Sequence, residues 1–164
     1  MPKKIPSSRL KSVLGHAIRA MITSALLIVL IGYFEVNHVL HPPRIIPTEN
    51  TLRKYQIQYQ SLDLVTEDGV RLSAWYTPSR NGVVILLAHG YGEHRPEWLY
   101  VILAKKGFGV LAWDARAHGE SGGEISTGGY LEVLDAKAAL DAAAKEITDV
   151  MTQAGYYSAA TKAP

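Results

Sequence analysis

The sequence predicts an α/β fold behind one apolar N-terminal helix, and three observations carry that prediction. Two short apolar runs, residues 83–88 and 108–113, have the length of buried strands. Between them, residues 96–106 place apolar side chains at helical spacing, and a glycine suited to ending a helix follows. In front of them, the stretch from Val13 to Phe34 is long and apolar enough to span a bilayer. We therefore expect parallel strands joined by a helix, preceded by a transmembrane segment.

The amino-acid composition excludes several classes of function. The chain has 164 residues, no cysteine and 48% apolar residues, which is ordinary for a globular protein. Without cysteine, disulfides, redox CxxC pairs and iron–sulfur sites are excluded. Residues 1–34 hold five cations and no acid, so the remaining residues carry a net charge of −3. Because the excess of positive charge is confined to the N-terminus, we expect no nucleic-acid partner.

The apolar N-terminal stretch predicts a single-pass anchor in the lipid bilayer. All of its cations precede the apolar run, and Tyr33 and Phe34 lie at the far end, where aromatic rings favour the interface. The positive-inside rule then places residues 1–12 in the cytoplasm as a basic tail and the soluble part outside. A cleaved signal peptide, or an amphipathic or buried helix, remains an alternative.

The segment after the predicted anchor is interpreted as a linker. Residues 35–52 contain three prolines, which stop helices and favour extended chain. These prolines are Pro42, Pro43 and Pro47. We expect a stalk between the membrane and the folded part.

The folded part is predicted to open with a hairpin. Residues 55–65 and 70–76 are rich in β-formers, and Glu67-Asp68-Gly69 between them is a tight-turn signal. After the β-α-β unit, residues 130–147 have a helical pattern rich in alanine. From Thr148 the pattern decays, so residues 148–164 are predicted to be an irregular tail.

The first chemically informative motif, His89-Gly90-Tyr91-Gly92-Glu93-His94, directly follows the first apolar strand. Ligands bind at the carboxyl ends of strands in open α/β sheets, and glycines let the backbone turn sharply there. A backbone N–H near Tyr91 is placed to stabilise an oxyanion. A glycine-assisted turn without chemistry is the alternative. The histidines lack the paired spacing of a metal site, so no metal or cofactor is expected.

The second motif follows the next strand and runs from Asp114 to Gly123. It contains a formal Gly-x-Ser-x-Gly around Ser121, but a nucleophile elbow requires the serine on a strained turn directly between strand and helix. Four residues separate Asp114 from Gly119, and further glycines follow. We therefore favour a loop held by side-chain hydrogen bonds of Asp114 and Arg116 over a nucleophilic Ser121.

In this order, the hairpin and the two motifs resemble the α/β-hydrolase superfamily. The likeness is to its membrane-anchored lysophospholipase- and serine-aminopeptidase-like members, with a loop of the monoacylglycerol-lipase type, and it covers roughly residues 55–146. The resemblance implies a partial α/β-hydrolase fold and an oxyanion-hole role for the backbone N–H of Tyr91. The positions that it implies shape the loops are His89, Gly90, Gly92, Asp114, Arg116, His118, Gly119 and Ser121. Ala117 stands where the family commonly has glycine.

The family's Ser, Asp or Glu, and His triad lies downstream of the matched segment. No such constellation follows Thr148 in this sequence. The resemblance therefore implies the amino-terminal half of a membrane-anchored serine hydrolase for small esters or amides, truncated before its nucleophile and inactive alone. Its first apolar strand is then an exposed sheet edge, open to a partner chain. Three alternatives remain: a non-catalytic interaction module, half of a split hydrolase, or an enzyme using Ser121 with His118 or His89.

Overall fold

The structure is a computed structural model that describes residues 7–153 in two compact units, Met1–Val39 and Leu40–Pro164. The first unit consists of helix α1 (Ser7–Leu40), whose last residue belongs to the second. Within α1, Lys11–Leu40 is long and apolar enough to cross a membrane, a property that signal sequences share. The helix extends beyond the predicted segment from Val13 to Phe34 because no proline lies between Pro6 and Pro42.

The second unit contains a four-stranded sheet in the order β1-β2-β4-β3. Its elements are α2 (Asn50–Lys54), β1 (Gln60–Val65), β2 (Arg71–Thr77), β3 (Val84–Leu87), α3 (Glu97–Lys105), β4 (Gly109–Trp113) and α4 (Glu132–Gln153). Strand β2 is antiparallel to both β1 and β4, whereas β3 is parallel to β4. The predicted parallel β-α-β unit is thus confirmed, and β3 forms one edge of the described sheet.

Strand β4 is the centre of the core because it is buried on both faces. Val110 and Ala112 point to the side covered by α2 and α3, where Trp75 and Tyr100 also pack. Leu111 and Trp113 point to the side covered by α4. This alternation explains the continuous apolar run that predicted a strand covered on both faces.

Two further predicted bounds differ from the structure by several residues. The first strand begins at Gln60, not at residue 55, because Asn50–Lys54 forms α2 around the fully buried Leu52 and the chain then turns at Gln56 (φ 56°). The predicted irregular tail begins too early, since α4 continues to Gln153 through a stretch without glycine or proline. The rest of that tail lies outside the described residues.

The predicted linker is not a free stalk. Its middle part, residues 40–48, is called the strap below because it is fastened to the loops that follow β4. The Ser126 N–H donates to the carbonyl oxygen of Leu40 at 2.8 Å. The Arg44 guanidinium donates to the carbonyl oxygens of Ser121 at 2.5 Å and Gly123 at 2.6 Å. A guanidinium can bridge several carbonyls in this way because it carries five N–H donors.

The far end of the strap is fastened to α3. The Thr48 N–H donates to the Glu97 carboxylate at 2.9 Å, and the rings of Pro42 and Pro47 are buried. The prolines that predicted an extended linker therefore keep the strap extended across the surface of the second unit.

Candidate functional site

The two sequence motifs meet at one edge of the sheet because β3 and β4 are parallel neighbours. Residues 88–96 after β3 form the first loop, and residues 114–131 after β4 form the second. A cavity of about 370 Å³ lies between them. His89, Gly90 and Tyr91 border it from the first loop, and Ala115 and His118 border it from the second.

Two histidines cross-link the loops in opposite directions. The Ala115 N–H of the second loop donates to His89 Nε2 at 2.9 Å. The Gly92 N–H of the first loop donates to His118 Nε2 at 3.0 Å. The two imidazole rings meet edge to face with centroids 4.9 Å apart. This pairing fixes the backbone on both sides of Tyr91.

Both imidazoles have their second nitrogen occupied as well. His89 Nδ1 lies 2.7 Å from the Gly90 carbonyl oxygen, and His118 Nδ1 lies 2.8 Å from that of Arg116. Since each Nε2 accepts a hydrogen bond, each ring is a neutral tautomer with its proton on Nδ1. Neither ring has a nitrogen left to act as a general base in this arrangement.

Burial of His89 predicts a loss of stability in acid. Burial lowers the pKa of His89 below its ordinary value, so the folded protein binds this proton less readily than the unfolded chain. The free energy of unfolding should therefore be constant above about pH 6.5 and fall as the pH drops through the folded-state pKa. Denaturation curves measured between about pH 8 and pH 5 test this. An unchanged pH dependence in His89→Gln would contradict the assignment.

Asp114 joins the two loops from a completely buried position. Its Oδ1 accepts the Arg95 N–H of the first loop at 2.9 Å, and its Oδ2 accepts the Glu120 N–H of the second at 3.0 Å. The Arg95 guanidinium lies 3.2 Å from the same carboxylate. A buried carboxylate needs such partners because its desolvation is costly.

Arg95 is itself fully buried, which sequence reasoning missed. Its guanidinium bonds Ser73 Oγ at 3.1 Å and pairs with the carboxylate of Glu120. Its Cζ stacks 4.1 Å from the ring centroid of Trp75. An arginine within a polar motif is normally expected to be solvent-exposed. Nothing in the sequence around Arg95 indicates that Trp75 of β2 covers it.

Ser121 is a structural hydroxyl. It is 2% exposed, its Oγ donates to the Asp114 carbonyl oxygen at 2.5 Å, and it accepts the Ser73 N–H at 2.9 Å. With its hydroxyl proton donated to a backbone carbonyl, Ser121 is not arranged as an activated nucleophile.

Arg116 ties the second loop to the start of α4 and to the β1–β2 turn. Its Nε donates to Asp135 Oδ1 at 2.9 Å, and its Nη1 donates to Asp68 Oδ2 at 2.8 Å. The guanidinium lowers the pKa of the Asp68 carboxyl to about 2. The pairing with Asp135 was not foreseen, because α4 begins well after the motif in sequence.

Gly119 approaches Asp114 so closely that a Cβ would overlap its carboxylate. Ala117 has φ 59° and is 2% exposed, and its N–H donates to the Gly122 carbonyl oxygen at 2.8 Å. At this position, where the resemblance expects glycine, alanine adopts the left-handed conformation that only glycine tolerates without strain.

We expect Ala117→Gly to raise the free energy of unfolding by about 0.5–1 kcal/mol, because relief of the strain exceeds the entropy cost of glycine. Chemical denaturation measures it. Ala112→Gly in β4 is the matched control, since that alanine is fully buried in regular strand, and it should lower stability. If both substitutions changed the free energy of unfolding by the same amount, Ala117 would not be strained as described.

Glu132 closes the second loop at the cavity wall. Its carboxylate accepts the N–H groups of Thr127 at 2.7 Å and Gly129 at 2.8 Å, together with the Ser126 hydroxyl at 3.0 Å. Burial alone raises the pKa of Glu132, but the hydrogen bonds from Thr127 and Gly129 outweigh it and lower the pKa to about 2. The group is therefore a fixed anion and not a proton donor at neutral pH. Among residues 7–153, no cluster of three or more His, Asp or Glu is arranged to hold a metal ion.

Comparison with solved structures finds an esterase. The chain is similar to the Pyrococcus furiosus esterase Pf2001, with 33% identity and a TM-score of 0.57 in one crystal form and 34% and 0.56 in a second. The first match covers 63% of this chain and 40% of the esterase, so the chain spans about two fifths of its length. No protein-family model and no curated protein matches the chain. The likeness supports a hydrolase-like fold, and the sheet fits part of an α/β-hydrolase.

Proposed function

We propose that this chain supplies the oxyanion-binding loop of a membrane-anchored serine hydrolase acting on small esters or amides. The observation that carries the proposal is Tyr91. It follows a parallel strand, borders the cavity and lies between two residues, Gly90 and Gly92, that the histidine pair holds. The likeness to an esterase makes acyl transfer the reaction class that this placement serves best.

In such a reaction, attack by a serine hydroxyl on the carbonyl carbon moves negative charge onto the carbonyl oxygen. A backbone N–H fixed before the reaction stabilises that charge without reorganising. The chain's own contribution is this donor at Tyr91 and the rigidity of its loop. We assign the nucleophile, acid and base to a following segment of the fold and no turnover to these 164 residues alone. We also propose that this enzyme is of the lysophospholipase or peptidase type.

The proposal is tested by replacing the equivalent part of the Pf2001 esterase with residues 53–147 of this chain. We expect the chimera to hydrolyse a p-nitrophenyl ester. Tyr91→Pro, which removes the backbone N–H, should then lower kcat by about 100-fold to 1000-fold. Tyr91→Phe, which keeps the N–H, should leave kcat within about twofold, since the expected loss belongs to the N–H alone. A cooperatively folded chimera without activity, or a Tyr91→Pro variant with full kcat, would refute the role.

Labelling by a fluorophosphonate separates this proposal from an enzyme that uses Ser121. We expect the 164-residue chain to show no labelling that depends on Ser121. Labelling lost specifically in Ser121→Ala, and kept in the exposed control Ser61→Ala, would favour the alternative nucleophile.

The edge of β3 supports a further proposal about partners. Val84, Ile85 and Leu86 are only partly buried, and this apolar edge is suited to pairing with another strand. We propose that a strand of the following segment pairs there, in the same chain or in trans. Mixing this chain with the complementary part of the esterase fold, followed by size-exclusion chromatography, tests the trans version.

We propose that Val13 to Phe34 anchors the chain with its N-terminus in the cytoplasm. Because the chain has no cysteine, single thiols report topology cleanly. On intact cells, a membrane-impermeant maleimide should label Ser61→Cys and not Lys4→Cys. Labelling of Lys4→Cys and not of Ser61→Cys would show the opposite topology. A mature chain that lacks residue 4 would indicate a cleaved signal peptide.

A further inference from the structure

Helices α2 and α3 and the strap share an exposed apolar surface. The side chains of Trp98, Ile102 and Tyr55 are 65%, 44% and 44% exposed, and Ile45 of the strap is 48% exposed. Ile45 and Trp98 border one depression, and Trp98, Tyr55 and Ile102 border the next, so the four form a continuous patch. We call these four residues and the rim lysines Lys54 and Lys105 the α3 surface.

The rim of the α3 surface is cationic on one side. Lys105 Nζ lies 4.3 Å from the Tyr55 ring centroid, and Lys54 Nζ lies 5.6 Å from it. Within the described residues, neither lysine forms an ion pair. The acids at the other end are engaged, since Glu97 accepts from the strap and Glu93 accepts the Gly90 N–H at 3.2 Å. Exposed tryptophan and tyrosine beside unpaired lysines match the chemistry of a bilayer interface with anionic lipids.

The chain joins the second unit to the proposed membrane span by a short tether. Leu40, where α1 ends, is bonded to Ser126 of the second unit, and Ile45 follows five residues later. Six residues separate Phe34 from Leu40, a reach of at most about 20 Å even when fully extended. With Phe34 at the interface, chain length alone keeps Leu40, the first residue of the second unit, within that distance of the headgroups.

We propose that the α3 surface lies on the headgroup region of the bilayer, with Trp98 and Ile102 inserted among the lipids and Lys54 and Lys105 against anionic headgroups. The inference rests on the proposed anchoring and goes beyond it, because an anchored domain can also remain in solution above the membrane. Docking through the α3 surface would orient the second unit, because the side of the sheet covered by α3 would face the bilayer and the side covered by α4 would face the solvent.

The tryptophans make the proposal measurable in the full chain. Of the three in the sequence, Trp75 is 2% exposed and Trp113 is 6% exposed, so Trp98 alone is open to surface quenchers. We expect vesicles of phosphatidylcholine and phosphatidylglycerol, brominated near the headgroup end of the acyl chains, to quench Trp98 fluorescence. Iodide in the buffer should quench it weakly. The Trp98→Phe variant should show neither effect.

A matched control moves the exposed tryptophan to the other side of the sheet. Tyr130 is 83% exposed just before α4, which packs on the opposite face from α3. In the double variant Trp98→Phe/Tyr130→Trp, we expect iodide to quench and brominated lipid not to. Replacing both Lys54 and Lys105 by Glu, or omitting phosphatidylglycerol, should reduce the lipid quenching of Trp98 by at least half.

Flotation of the vesicles separates this inference from the anchoring beneath it. If the chain floats with vesicles while Trp98 stays open to iodide and insensitive to brominated lipid, the docking is refuted and the anchor stands. If the chain does not float, the anchoring fails and the docking falls with it. Equal lipid quenching of Trp98 and Tyr130→Trp would also refute a specific α3 surface.

Discussion

Replacing Asp114 by Ala is expected to lower the free energy of unfolding by about 3–5 kcal/mol, a large part of the stability of a small domain. The substitution removes the buried one of the two counter-ions of the fully buried Arg95 and frees two backbone N–H groups, those of Arg95 and Glu120. Because those groups lie in different loops, both loops should lose their positions together. Urea denaturation followed by tryptophan fluorescence measures the loss.

An exposed ion pair supplies the control. Asp63 lies 2.6 Å from Arg71, but its side chain is 66% exposed, so Asp63→Ala should cost less than about 1 kcal/mol. Asp114→Asn refines the comparison by keeping the shape and removing the charge. If Asp114→Ala and Asp63→Ala cost the same, the buried network does not stabilise the fold as described.

Gly119→Ala should be comparably damaging, at about 3 kcal/mol or more. Two causes add at this position. The backbone is left-handed at φ 47°, and a Cβ would overlap the buried carboxylate of Asp114, which cannot move without breaking its hydrogen bonds. Thermal unfolding of the variant measures the combined effect.

Gly128 separates the two causes. It has φ 65°, but nothing lies within 4 Å of the site of an added Cβ. Gly128→Ala should therefore cost only the backbone strain, about 1–2 kcal/mol. If the two substitutions lowered the free energy of unfolding equally, the overlap with Asp114 would not contribute to the loss at Gly119.

The sequence predicts those parts of the fold that periodicity and turn chemistry determine. The apolar runs give β3 and β4 to within one residue at each end, and Glu67-Asp68-Gly69 locates the hairpin turn between β1 and β2. Short helix α2 was missed because a single buried side chain, Leu52, stabilises it. A single buried residue produces no hydrophobic periodicity in the sequence, so α2 is recognised only from its packing in the structure.

The candidate site was predicted in outline for the same reason. Glycines and histidines at strand ends indicate where loops turn, and the parallel strands bring them together. The identity of each partner depends on packing between segments far apart in sequence. Arg95 under Trp75 and Arg116 beside Asp135 are such cases, since an isolated charged residue does not signal whether a counter-ion waits on another element.

The strap is the first part of the second unit to bear a force applied through the N-terminal helix. A pull on the N-terminal helix enters the second unit at Leu40, which is bonded to Ser126, and is passed to the loop after β4 through Arg44 as well. Under load, these few bonds should rupture before the backbone ladder of the sheet. Single-molecule stretching from the N-terminus would then show a small early extension step, absent in Arg44→Ala, before the sheet unravels.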